Sequence, residues 1–424
     1  MMSNTSLRTL SNNNRWLWLG SFFRGMLFIM PLTVPWFEQF GLTFTEIMLT
    51  QSVYGAGLFL LEVPSGYVAD RIGRKKSLFV GSIVGSLGLS ILIVADSFFW
   101  FCVMEVLLAL SVSLTSGADI ALLYDTHAEL ERTGQATSSS EKSLACYSTS
   151  TPLADGVAAG GASVILLWSM EAVIIAQVVI GWVAVLFDYL LVEPPRKKTI
   201  ERSHFSNVKD TFASIFMDDR GLRLLIGSFV VITLTTYLLV WSFQIHWSQM
   251  QLPVVWFGLL WALRGLTIGA FAWCAPWVIR MFGRHMTLHC IVMLVLLTCG
   301  LMFLPSHSWV ALPVFAVGAA RGLALVALQE PMNRTIEPHC RATANSMVSF
   351  VFRGCALVCA PLMGLGIDRL GMQPTIIIIA GLFIVLSAVT VLLWILHDKD
   401  EQRKKKIQRR KNRAREKRRV VGAA

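Results

Sequence analysis

Apolar runs of about twenty residues recur along the whole chain, and that recurrence constrains the fold more than any other feature. A bilayer's hydrocarbon core is about 30 Å thick, and about 20 helical residues cross it. The runs fall at 16–37, 46–67, 77–95, 98–123, 143–167, 170–191, 222–245, 254–279, 286–304, 309–330, 343–366 and 372–396. They are continuous, whereas strands of a membrane barrel would alternate apolar and polar side chains. The spacing therefore predicts an all-α membrane protein with twelve transmembrane helices. Composition points the same way. Of 424 residues, 55% are hydrophobic and only 15% charged, against about a quarter charged in soluble domains. Too few polar side chains are present to cover a water-exposed surface. Disordered, collagen-like and disulfide-scaffold classes fail on the same figures.

Orientation follows from Lys and Arg in the loops, which concentrate on the cytoplasmic side. With the N-terminus inside, 32 of the 37 Lys and Arg fall in inner segments and one, Arg369, in an outer loop. Both termini are expected in the cytoplasm. Thirteen of the 37 lie between Asp398 and Ala424, so the net charge of +11 is largely a property of the tail. This tail and the basic inner loops are expected to touch anionic lipids rather than nucleic acid. The eight cysteines show no metal spacing and are expected to be reduced packing residues. No metal and no cofactor are expected.

Residues 192–221 form the longest polar stretch between spans, with Pro194 and Pro195 near its start. The chain is divided accordingly: a six-helix half at 1–191, a cytoplasmic linker at 192–221, a second six-helix half at 222–396 and a basic tail at 397–424. The halves carry a weak repeat, since Gly73-Arg74 and Gly283-Arg284 recur at an offset of 210, as do Gly55 and Gly265. Parallel six-helix repeats are a feature of transporters.

The inner loop after the second span reads Gly66-Tyr67-Val68-Ala69-Asp70-Arg71-Ile72-Gly73-Arg74-Lys75-Lys76. It resembles the G-x-x-x-D-R-x-G-R-K signature loop of the major facilitator superfamily, with every defining position filled. The resemblance covers residues 15–396 and implies the major facilitator fold, a monomer and transport by alternating access. It also implies that Gly66, Asp70, Arg71, Gly73 and Arg74 form a gate that latches the halves in the outward-open state. Glu62-Val63-Pro64-Ser65-Gly66, Ser116-Gly117-Ala118-Asp119 and the run Gly364, Asp368, Gly371 are similar to bacterial members grouped with drug exporters. Two departures stand out. Proton-coupled exporters carry an arginine in the fourth helix where this chain has Glu105, and a Gly-Pro pair in the fifth where this chain has Gly156, Gly160 and Gly161.

Four arginines, Arg24, Arg264, Arg321 and Arg353, fall inside spans, each eight to twelve residues deep, or roughly 12–18 Å at 1.5 Å per residue. A charge there costs at least about 2.5–3.5 kcal/mol. The last three share a half with no mid-span carboxylate. In the superfamily none of the four would lie on a lipid-facing helix. A guanidinium presents five donors suited to a carboxylate or phosphate, so these four are the expected substrate-binding residues. An internal salt bridge, for instance Arg24 with Asp155, is the competing expectation. Asp155, in the middle of the fifth span, is the first candidate for proton coupling and Glu105 the second. Asp188, near the inner end of the sixth span, is expected to snorkel. Trp36, Tyr54, Trp241, Trp256, Trp261 and Trp273 are available to stack on a substrate, although packing or interface roles suit most of them.

These features predict a secondary transporter of the inner membrane that moves a small organic solute, anionic or zwitterionic. Protons are the expected coupling ion, with export favoured over import. A membrane sensor or membrane enzyme on the same bundle is the alternative from another class. No nucleophile–base pair, phosphate loop or metal motif supports an enzyme.

Overall fold

The computed structural model describes residues 10–135, 139–195, 220–304, 309–336, 341–390 and 393. The basic tail and most of the linker lie outside the described residues. Every regular element among the described residues is helical. The chain begins with α1 (Asn13–Gly25), a 3-10 turn at Met30–Leu32 and the short α2 (Thr33–Glu38). Next come α3 (Phe44–Ile72), α4 (Arg74–Ser90), α5 (Phe98–Thr115), α6 (Ala118–Arg132), α7 (Ser140–Ser148), α8 (Ser150–Ile165) and α9 (Met170–Leu190). After the linker follow α10 (Arg220–Gln249), α11 (Val255–Leu301), α12 (Ala311–Ala324), a π-helical turn at Leu325–Gln329, α13 (Glu330–Thr335) and α14 (Arg341–Leu370). The last described helix is α15 (Met372–Thr390).

Ten helices among the described residues are long and apolar enough to cross a bilayer. Two features account for the difference from twelve apolar runs. The runs at 254–279 and 286–304 both fall on α11, whose 47 residues are interrupted at Gly283, with φ +75° and ψ 161°. This backbone is reachable without strain only by glycine, so α11 is two helical segments meeting at a kink. The run at 143–167 divides at Thr149 into α7 and α8, each too short to qualify alone. The cause is local. Thr149 donates its hydroxyl to the Cys146 carbonyl at 2.7 Å and Ser150 to the Tyr147 carbonyl at 2.7 Å. Such side-chain bonds compete with the helix ladder, and Pro152 follows within the first turn of α8.

Buried apolar side chains form three clusters. The largest joins both parts of the chain. Leu32, Phe37 and Ile47 belong to it with Leu239, Phe243, Trp247 and Phe257. At the opposite end of the bundle the two parts have separate cores. One holds Leu17, Leu78, Leu122 and Leu191, the other Leu222, Ile226, Met332 and Val348. Helices α3 and α14 pack along each other, as do α8 and α11, and these two pairs carry most of the contact between the parts. The bundle is thus sealed at the end bearing Glu38, Gly41 and Gly371. At the end bearing the basic loops it is divided.

Candidate functional site

Two arginines of the second part come together. Arg321 on α12 and Arg264 on α11 lie on two helices packed against each other, so closely that a Cβ on Gly318, one turn from Arg321, would meet the Arg264 carbonyl at 3.2 Å. Arg264 packs its guanidinium over the Trp261 ring, 4.3 Å from the centroid. Asp155 on α8 supplies a carboxylate from the first part. Its Oδ2 lies 3.9 Å from Arg264 Nη2, and its Oδ1 accepts a hydrogen bond from the Trp261 indole at 3.3 Å. The ion pair is therefore long, and the Nε of Arg264 is buried without a partner. Arg321 donates to the Thr233 hydroxyl at 2.5 Å and lies 5.8 Å from the Phe229 ring centroid. No carboxylate among the described residues pairs with it. Two guanidiniums with one distant carboxylate leave a local excess of positive charge, well placed to meet an anionic group.

Arg24 behaves differently. The expected bridge to Asp155 does not form. Arg24 on α1 pairs instead with Asp188 on α9, and Ser82 on α4 donates to the same carboxylate. The expectation that Asp188 snorkels is also overturned, because Asp188 is fully buried. The close approach of α1 at Gly20 explains this. A Cβ there would meet Asp188 Oδ1 at 2.4 Å, so the carboxylate is pressed into the bundle beside Arg24.

Glu105 on α5 is 5% exposed and accepts a hydrogen bond from the Gln51 amide of α3 at 2.8 Å. Tyr54 lies within electrostatic reach of both Glu105 and Arg353. Arg353, on α14, is thereby brought to a second place where the two parts meet, away from the Arg264–Arg321 pair. Glu105 also lines a cavity of ≈ 500 Å³ whose lining residues all belong to the first part. Of the six candidate aromatics, Trp261 joins the arginine site and Tyr54 lines this cavity, while Trp256 and Trp273 face outward.

The basic signature loop is described in part. Its glycine at 73 has φ +108° and precedes α4. Arg74 forms an ion pair with Asp125 of α6 and donates to the Ala121 carbonyl at 2.5 Å. The side chains of Gly66 and Asp70 lie outside the described residues. Glu193, at the start of the linker, accepts the backbone N–H groups of Arg74 at 3.0 Å and Lys75 at 2.6 Å. A carboxylate there complements the α4 dipole. Sequence inspection did not single out Glu193, and only its nearness to the loop in space identifies it.

At the sealed end, two polar side chains join the parts. Gln244 on α10 accepts from Val34 N–H at 3.0 Å and donates to the Met30 carbonyl at 2.9 Å. Asp368 on α14 caps α3, accepting from Phe44 N–H at 3.1 Å and Thr45 N–H at 2.8 Å.

A bundle of apolar helices, closed at one end over buried charges, defines a membrane transporter rather than an enzyme. The chain matches the family model described as the Major Facilitator Superfamily over residues 17–358 and 256–422. It belongs to that superfamily. No curated protein sequence matches it. Among solved structures, it is similar to a mutant of the nucleoside transporter NupG at 16% identity, covering 90% of this chain and 100% of that one, with a TM-score of 0.75. It is also similar to a bacterial homolog of the human lysosomal transporter Spinster in an inward-facing, unoccupied conformation, at 15% identity, 93% and 96% coverage and a TM-score of 0.67. A POT family transporter in complex with 5-aminolevulinic acid matches at 14% identity, 92% and 96% coverage and a TM-score of 0.62. At these identities the likeness is one of fold.

Proposed function

We propose that this chain is a proton-coupled secondary carrier of the inner membrane whose solute bears a negative charge, alone or within a zwitterion. The observation that supports this most directly is the Arg264–Arg321 pair, faced among the described residues by the distant Asp155 carboxylate alone. An arriving carboxylate or phosphate would take the donors that Asp155 satisfies poorly. Asp155, released from Arg264, would be free to serve as the coupling carboxyl, which brings the two cargoes to one place. Glu105 is the second carboxyl available for protons, and Arg353 is an auxiliary contact. Solved structures of similar fold include a nucleoside transporter and a POT family transporter in complex with 5-aminolevulinic acid. A zwitterion such as the latter suits the arginine pair better than an uncharged nucleoside does.

In this proposal there are twelve spans in two six-helix halves, the kinked α11 supplying two and α7–α8 one. Both termini are cytoplasmic, because the basic loops lie at one end of the bundle. The separate cores at that end and the shared core at the other support an inward-facing state. The Gly66–Arg74 loop would latch the opposite, outward-open state, and anionic lipid would hold the basic tail. Export is favoured on the resemblance to drug exporters, and the carrier works as a monomer. The test separates coupling from exchange. Purified protein in liposomes carrying Asp155→Asn is expected to lose proton-driven accumulation yet keep solute exchange. Full gradient-driven accumulation by that variant would refute the coupling role and pass it to Glu105.

A further inference from the structure

The ≈ 500 Å³ cavity of the first part falls within the range of small-molecule sites, about 300–1,000 Å³. Neither Arg264 nor Arg321 lines it. Its walls are mostly apolar, from Leu27, Leu89, Leu108 and Val112, and four aromatic residues, Phe23, Phe37, Tyr54 and Tyr147, also line it. Small residues on α4 make the room. A Cβ on Gly85 would already meet Ser111 Oγ at 2.5 Å, so α4 and α5 are in contact there and cannot approach further.

The charges on this wall are unbalanced. Arg24 reaches the cavity, but the fully buried Asp188 takes its charge. Two carboxylates remain. Asp119 accepts from the Tyr147 hydroxyl at 2.5 Å; Arg24, which already pairs with Asp188, is the cation within its electrostatic reach, and no ion pair to Asp119 forms among the described residues. Glu105, deep in the cavity at 5% exposure, receives only the neutral Gln51 amide among the described residues. A carboxylate in apolar surroundings needs a cation or a proton to be tolerated. Tyr54, on the same lining, is an aromatic ring of the kind that attracts cations.

We infer that this cavity is a binding site for an organic cation with an apolar body, with Glu105 as its counter-ion. It is separate from the arginine pair and takes a ligand of opposite charge, so it stands whether or not the arginine pair binds an anion. Glu105 holds the cation, and Asp119 adds a second carboxylate to the same lining.

Tetraphenylphosphonium and tetraphenylborate test this, because they share a shape and differ in sign. Isothermal titration of the full-length protein in detergent is expected to give saturable, one-to-one binding of the phosphonium that the borate does not displace. Glu105→Gln keeps the contact with Gln51 and removes the charge, and should weaken phosphonium binding at least tenfold. Leu108→Trp fills the cavity without touching any charge and should weaken it comparably, which covers the case in which Glu105→Gln fails to fold. A carboxyl that carries only a proton would give no saturable phosphonium binding, and the inference would fail. Phosphonium affinity unchanged in either folded variant, or equal competition by the borate, would also overturn it.

Discussion

Arg24 and Arg321 show how the same side chain at similar depth serves different ends. Arg24 has a fully buried partner in Asp188. Removing one member of such a pair strands the other charge and costs about 3–5 kcal/mol. Asp188→Asn is therefore expected to lower the thermal midpoint in detergent sharply, and the double change Arg24→Met with Asp188→Leu should recover much of the loss. Equal loss in the single and double variants would mean the pair is not the source. Among the described residues, Arg321 has the Thr233 hydroxyl and the Phe229 ring as its polar and aromatic contacts. Arg321→Gln should leave the midpoint near that of the parent protein while weakening solute binding by about 1.5–3 kcal/mol, the worth of a hydrogen bond to a charged group. Arg321→Lys should recover part of it, since a lysine cannot fork. Titrating an identified solute into the three proteins checks both. At this scale the sequence reveals which charges are buried but not their partners. Hydropathy shows that Arg24 and Asp188 lie in the membrane. Only packing of α1 on α9 decides that they meet.

Helices were the most legible feature, because continuous apolar runs of membrane length leave little choice. The places where runs and helices disagree have local causes. Hydroxyls around Thr149 break one run into two helices, and Gly283 joins two runs across a kink. Contacts between helices were not legible. A Cβ on Gly258 of α11 would sit 2.2 Å from the Ala159 carbonyl of α8, and one on Gly364 of α14 would sit 2.6 Å from the Phe44 carbonyl of α3. Both obstacles are backbone, which cannot move aside as a side chain can. These helix pairs join the two parts near the sealed end. Gly364→Ala is expected to force α3 and α14 apart and destabilise that closure by about 1–3 kcal/mol, the usual cost of overpacking. Asp368→Asn should weaken the same closure by removing the charge from the α3 cap. Spin labels at the sealed end should report a longer distance distribution in either variant. An unchanged distribution in both would remove these contacts from the gate.

For the whole molecule, the division of the core decides what the bundle can do. One shared apolar core at the sealed end and two separate cores at the basic end suit the proposed cycle, in which the parts would rock about the charged middle without exposing it to both sides at once. The charges are arranged to suit this motion. Asp155 comes from one part and Arg264 and Arg321 from the other, so a bound anion would be gripped across the seam that opens and closes. The basic signature loop revealed the superfamily from sequence. It could not reveal the arginine pair, because residues 57 apart on different helices are joined only by the packing of α11 against α12. Counterflow tests the whole account most directly. Proteoliposomes loaded with unlabelled carboxylate, phosphate and zwitterionic solutes would receive a trace of each labelled solute outside. The account predicts transient accumulation of at least one negatively charged or zwitterionic solute, chemically unaltered, with the initial rate reduced at least tenfold in Arg321→Gln. Exchange confined to neutral or purely cationic solutes, at rates indifferent to Arg264 and Arg321, would contradict it.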